Sequence, residues 1–217
     1  DSRLVTLAAQ ERRVITQTVE VRLPTDNLVI SASQPQEVNQ AVDATFLTAR
    51  GGGSQSYFDI ISMRLQTPVQ LGEKYTVLSS ISAADETSLQ NEGTQIPSYI
   101  RTQYLELPST VPDRVKNLAV QITSAATNNY DKARAIEQYL RTHITYNDQV
   151  DQIPEGFDGV DYVLFERPEG YCNYYASAMA VMARSIGIPA RVASGYAVGS
   201  PGDDGLYHIN EANAHSW

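Results

Sequence analysis

The chain has 217 residues, enough for one or two domains and for a core that needs no disulfide staples. Hydrophobic residues make up 42% and charged residues 19%, which excludes a disordered or collagen-like chain. Sixteen Lys and Arg stand against 25 Asp and Glu, a formal charge of −9 with no run of cations, so nucleic acid is not an expected partner.

Residues 1–108 read as β. Along residues 13–23, Ile15, Val19, Val21 and Leu23 alternate with Thr16, Thr18, Glu20 and Arg22, the period of a half-buried strand. Residues 27–32, 44–48, 57–65 and 74–82 are further strand candidates, separated by breakers at 24–26, Pro35, 51–53, Pro68 and Gly72. Several strands with turns between them suggest a β-sandwich or barrel module. The glycines at 51–53 read as a hairpin tip, since no helix follows to make a phosphate cradle. The polar stretch 84–97 reads as a loop or linker.

Beyond residue 108 the pattern turns helical. Pro112 fits the first turn of a helix, and Val115, Leu118, Ala119 and Ile122 follow on one face. Asp131 is placed to cap a second helix, with Ala133, Ile136, Leu140 and His143 along one side. His143 reads as a helix-end residue. Arg114, Lys116, Lys132, Arg134 and Arg141 are spaced as solvated helix faces. Residues 147–163 read as a long surface loop.

In residues 169–187, Gly170 precedes Tyr171 and Cys172; then Cys172, Tyr175, Ala176, Met179, Ala180 and Ala183 share a helical face. Gly187 is placed to end this helix, and Pro189 prevents its continuation. Residues 191–198 read as a strand, 201–205 as a turn, 206–209 as the start of another strand and 212–217 as a strand carrying His215. The sole cysteine, Cys172, thus stands at a helix N-terminus. It forms no intrachain disulfide, and no zinc framework, HExxH, Walker loop, GxGxxG or GxSxG occurs. No metal or cofactor is expected. No stretch approaches the roughly 18 apolar residues of a transmembrane helix. The chain starts at Asp1 without a methionine or signal pattern, and we read it as a soluble piece of a longer protein.

A helix N-terminus aims unpaired N–H groups at the space beside the sulfur, where a developing oxyanion could bind. A free thiol ionises near about pH 8.5, and a helix N-terminus with an adjacent imidazolium lowers that by several units. A cysteine–histidine pair can then form an acyl-enzyme, with histidine as acid to the leaving amine. Position alone leaves the other reading open, because a lone cysteine is commonly a small buried hydrophobe.

The residues from Glu169 to Tyr196 resemble the core of the transglutaminase-like superfamily. They are similar to its bacterial branch, found as the extracytoplasmic part of multi-pass membrane proteins. Four pieces carry the resemblance: Gly170-Tyr171-Cys172, Gly187-Ile188-Pro189-Ala190-Arg191, Gly195-Tyr196 and Asn213-Ala214-His215-Ser216-Trp217. Residues 130–136 and 140–146 also match, so the likeness spans residues 108–217. It implies a papain-like, transglutaminase-like α+β core over 109–217, which follows the β-sandwich-like module read over 1–108. In that core a nucleophile helix packs on an antiparallel sheet, incomplete at its C-terminus.

The same resemblance implies Cys172 as nucleophile and His215 as its base. Tyr146 would be a second oxyanion donor, or simply a packed aromatic at a helix exit. Asn173 would orient substrate, or cap the helix. The family's third member is an acid on the strand after the histidine segment, and the sequence ends two residues past His215. Asp203 and Asp204 precede His215 and read as turn residues; a calcium site is the poorer reading, since hard cations need more oxygen ligands. By itself this piece is therefore expected to be weakly active or inactive, within an active, membrane-anchored parent.

Two function classes follow. One is cysteine-dependent acyl transfer on a protein or peptide amide, to an amine or to water, on the extracytoplasmic side of a bacterial membrane. The other is a non-catalytic cell-surface binding or scaffold module, in which Cys172 is inert.

Overall fold

The computed structural model describes residues 11–24, 26–50 and 56–217. The chain forms two compact units that divide between Leu89 and Gln90.

The first unit carries β1 (Arg12–Glu20), β2 (Pro35–Val38), β3 (Val42–Arg50), β4 (Ser56–Leu65) and β5 (Lys74–Ser82). An antiparallel sheet has the order β1-β5-β2, and β3 and β4 make a separate antiparallel ribbon. The stripe read along 13–23 holds as far as Val21, which is buried, whereas Leu23 is exposed. Val21, Val29, Met63, Leu65, Tyr75 and Val77 form one core drawn from both sheets. Tyr75 is 1% exposed, and burial pushes its phenol pKa up. Its hydroxyl oxygen accepts the N–H of Ile30 at 2.8 Å.

Two expectations fail in this unit. Residues 27–32 make only an isolated bridge, Leu28 to Arg64. Asp26 and Asn27 take left-handed φ values of 48° and 60°, which turn the chain where a strand would run straight. Pro35, read as a breaker, opens β2 instead; at the first residue of an edge strand its missing N–H leaves no partner unpaired. The expected hairpin tip at 51–53 lies outside the described residues.

The stretch 84–97, read as a loop or linker, contains a short helix, α1 (Glu86–Asn91), and a second, α2 (Ser98–Tyr104), follows it directly. Asp85 starts α1 by accepting the N–H of Ser88 at 2.8 Å. The end of α2 belongs with the second unit: Tyr104 O accepts from Ala190 N at 3.2 Å, and Glu106 O from Arg184 Nη1 at 2.9 Å.

The second unit continues with α3 (Asp113–Ile122), α4 (Asn129–His143), β6 (Thr145–Tyr146), α5 (Gly159–Asp161), β7 (Glu169–Gly170), α6 (Cys172–Ser185), β8 (Ser194–Tyr196) and β9 (Ala214–Ser216). Pro112 caps α3 rather than entering its first turn. The cap of α4 is Asn128, not Asp131. Asn128 Oδ1 accepts Asp131 N–H at 2.8 Å, and Asn128 Nδ2 donates back to the Asp131 carboxylate at 2.7 Å. The loop read over 147–163 ends early: Asp158 caps α5, and a π-helical turn, Tyr162–Glu166, carries Val163 and Leu164 into the core. Together these helices and short strands give the mixed α+β architecture.

Helix α6 is buried more fully than its expected stripe. Ala178 and Met182, off that stripe, are 0% exposed. The helix packs against α3, α4, α5 and β9. Its end follows the sequence: Gly187 takes φ +85°, its N–H bonds Arg184 O, and Ile188 N–H reaches back to Ala183 O. Residues 206–209 are not a strand. Asp204 gathers Leu206 N–H at 3.0 Å and His208 Nε2 at 3.0 Å, curling the segment back on itself.

Arg114 on α3 holds Asp161 through two nitrogens at 2.5 Å, and Glu166 at 2.8 Å. Asp161 is buried, so Arg114→Ala would leave a carboxylate in the core without its counter-charge. The expected result is a fall in the urea midpoint at least about twice that of Arg141→Ala, which breaks only an exposed helix pair with Glu137. Equal falls would show the Asp161 pair to be no more than a surface bridge.

Candidate active site

The site begins on β6 and β7. These strands are parallel, with Thr145 opposite Glu169 and Tyr146 opposite Gly170. Asn147 N–H donates to Gly170 O at 2.9 Å, extending the ladder. The end of α4 is thereby tied to the two residues before the Tyr171–Cys172 step. Gly170 fits because it has no side chain: an added Cβ would lie 2.7 Å from Tyr174 Cγ and 2.8 Å from Tyr174 Cβ. Those atoms are the root of the Tyr174 side chain, so relief requires moving the first turn of α6. Gly170→Ala is expected to cost stability and to change the reactivity of Cys172, read by thermal unfolding and thiol labelling together.

Tyr171 is the cap residue of α6, extended at φ −108°, and no side chain caps this end. Asn173 is therefore not the cap. Cys172 is the first helical residue and is half-buried. Its sulfur lies 3.9 Å from Asn173 Oδ1. An open helix N-terminus beside a sulfur is an environment suited to negative charge.

His215 lies on β9, paired with Gly195 of β8. Its ring meets Trp217 edge to face, centroids 5.1 Å apart. Ser216, the next residue, is buried. Its hydroxyl donates to Asn173 Oδ1 at 2.6 Å, joining the histidine strand to the first turn of α6. Among the described residues no hydrogen bond links the Cys172 sulfur to the His215 ring. The structure brings together the neighbours of the two residues. Asp204, the turn acid nearest His215 in the chain, accepts from Leu206 N–H and pairs with His208; the Leu206 bond first, and then His208, hold its carboxyl below the usual range.

Tyr146 is 61% exposed at the edge of this region, its ring 6.2 Å from that of Tyr175. Tyr175 is fixed by its hydroxyl, which donates to Ile144 O at 2.6 Å. His143, exposed at the end of α4, stacks on Tyr139 with centroids 4.0 Å apart, as a helix-end residue would. A cavity of about 350 Å3 opens beside the start of α6, between Tyr171, Asn173 and Ser177 on the helix and Val111, Ile153 and Val160 opposite.

Sequence reasoning missed the groups that brace this site. Glu169 accepts from Asn147 Nδ2 at 2.9 Å and pairs with Arg167, whose other arm reaches Asp151 at 2.9 Å. The Asn147 bond first, and then Arg167, hold the Glu169 carboxyl below its ordinary 4.5. A depressed carboxyl stabilises the fold above its ordinary value and ceases to as pH falls through the lower folded value. The stability advantage of wild type over Glu169→Gln is expected to be complete at neutral pH and to shrink below 4.5, followed by urea midpoints across pH. An advantage that stays constant to low pH would detach Glu169 from this network.

The model of the transglutaminase-like superfamily matches residues 116–217. The second half of the chain is thus a transglutaminase-like domain. Among curated proteins, the chain is 41% identical over 122 residues to the uncharacterized protein YebA of Bacillus subtilis (strain 168), covering 53% of this chain and 17% of that protein. It is 31% identical over 156 residues to a protein-glutamine gamma-glutamyltransferase of Pseudomonas aeruginosa, covering 71% of this chain and 22% of that protein. The chain therefore spans about a fifth of the length of these relatives. The fold is also that of the periplasmic domain of TgpA from P. aeruginosa, with a TM-score of 0.67 and 23% identity, over 94% of this chain and 64% of that one. Among the described residues no helix is long and apolar enough to cross a membrane.

Proposed function

We propose that this domain transfers acyl groups from protein or peptide amides through a thioester on Cys172. The observation that carries the reading is the placement of Cys172 at the open N-terminus of α6, with the strand of His215 hydrogen-bonded to the same helical turn.

The Cys172 thiolate attacks the amide carbonyl carbon. The oxyanion that forms accepts from the N–H of Cys172, and from Tyr146 as a second donor. Protonated His215 gives its proton to the leaving nitrogen; the C–N bond breaks, an amine or ammonia departs and the thioester remains. His215 then takes a proton from the acceptor as it attacks the thioester. An amine acceptor gives a new amide and water gives the acid; in both cases the thiol is restored. Asn173 has its amide nitrogen available to orient the substrate. No cofactor enters these steps. The cavity beside the helix start offers room for an apolar side chain of the amide donor. By analogy with the periplasmic domain of TgpA, the site works on the extracytoplasmic side, as part of a membrane-anchored parent.

The test is alkylation of Cys172 by iodoacetamide between about pH 5 and 9, in wild type and in His215→Ala. The reading expects rapid labelling of native protein near about pH 6, slowed by at least about tenfold in the variant. Labelling that rises only above about pH 8, or only on unfolding, would mean an ordinary or inaccessible thiol. The domain would then be a binding or scaffold module.

A further inference from the structure

We infer that Ser216 and Asn173 form a clasp that sets the spacing of Cys172 and His215, which makes both of them positioning residues. This rests on the acyl-transfer reading above. Each member of the clasp is the immediate C-terminal neighbour of one residue assigned to the chemistry. The bond between them is short, 2.6 Å from hydroxyl to amide oxygen. Ser216 is buried at 8% exposure, which keeps the donor end of the bond out of water, while Asn173 at the acceptor end is exposed.

Both ends of the clasp stand on rigid backbone. Asn173 lies in the first turn of a 14-residue helix. Ser216 lies opposite Ser194 in the β8–β9 ladder. Beyond that ladder, Ala193 and Trp217 exchange backbone hydrogen bonds of 2.9 Å in both directions. The grip on α6 is made by the Ser216 hydroxyl and not by the side chain assigned to proton transfer. His215 keeps its imidazole for the reaction, while its backbone is held to the helix turn by its neighbour. A shift of about 1 Å between such groups can cost about a hundredfold in rate, which gives a non-reacting tether a measurable effect.

The experiment measures the pH profile of Cys172 alkylation in Ser216→Ala, Asn173→Ala, the double variant and Ser216→Thr, beside wild type and His215→Ala. Thermal midpoints are recorded for each, so that rates are compared among folded proteins. The clasp expects Ser216→Ala and Asn173→Ala each to move the profile toward that of His215→Ala, lowering the rate near neutral pH by about tenfold. The double variant should be no worse than the more affected single variant, because the Ser216–Asn173 bond is lost in every case. Ser216→Thr, which keeps the hydroxyl, should retain the wild-type profile. A folded Ser216→Ala protein with the wild-type profile overturns the clasp, provided His215→Ala shifts it. If His215→Ala shifts nothing, the acyl-transfer reading itself fails and the clasp with it.

Discussion

Replacing His215 by alanine is expected to lower amide turnover by about 10²–10⁴-fold, the range removed with a general acid–base group. The loss should fall equally on kcat and kcat/KM, because the proton is in flight only in the transition state. KM should therefore change little. The measurement is release of ammonia or amine from a glutamine-containing peptide, on a preparation that includes whatever sequence the parent carries past Trp217. Cys172→Ala should be at least as severe, since the thioester has no other atom on which to form. Turnover within about threefold of wild type in His215→Ala would remove this histidine from the chemistry.

Met182→Ala should be the most damaging of the simple core truncations. Met182 is 0% exposed, and it packs in a cluster with Val115, Ala119, Ile136 and Leu140. Losing its side chain removes the buried transfer term and leaves a cavity that rigid helices on both sides cannot close. The expected cost is about 2–5 kcal/mol, against less than about 1.5 kcal/mol for Met182→Leu, which conserves volume. Trp217 is the sole tryptophan and lies in the second unit, so its fluorescence follows the unfolding of that unit directly. Similar midpoints for the two variants would show that the space around position 182 can collapse.

Much of this site is legible along the chain because its signals are local. Glycine at 187 ends α6 through a left-handed residue whatever lies nearby, and the reading of that terminus holds in detail. The helix over 172–185 follows from the spacing of its small residues and from Pro189 beyond it. β5 runs over Lys74–Ser82, as its run of β-formers indicates. Errors occur where two local signals compete. Asn128 and Asp131 both suit a helix start, and they form one reciprocal cap in which the earlier residue takes the capping position. Residues 27–32 have strand-like composition, but the preceding turn sets their direction.

Readable from the sequence alone are the helices α3 and α4, the helix that begins at the only cysteine, most strands of the first unit and the family likeness over the second half. All of these depend on residues close together in the chain, whose backbone preferences and periodicity act without a partner. Only the tertiary structure decided how that helix is held. The Ser216–Asn173 bond spans 43 residues, and the Asn147–Glu169 brace spans 22. The second buried stripe of α6 exists because it packs with residues of α3 and α4 in one core. A serine or an asparagine offers many partners in the unfolded chain. Which one it takes depends on which groups the packed core leaves within hydrogen-bond reach and out of water.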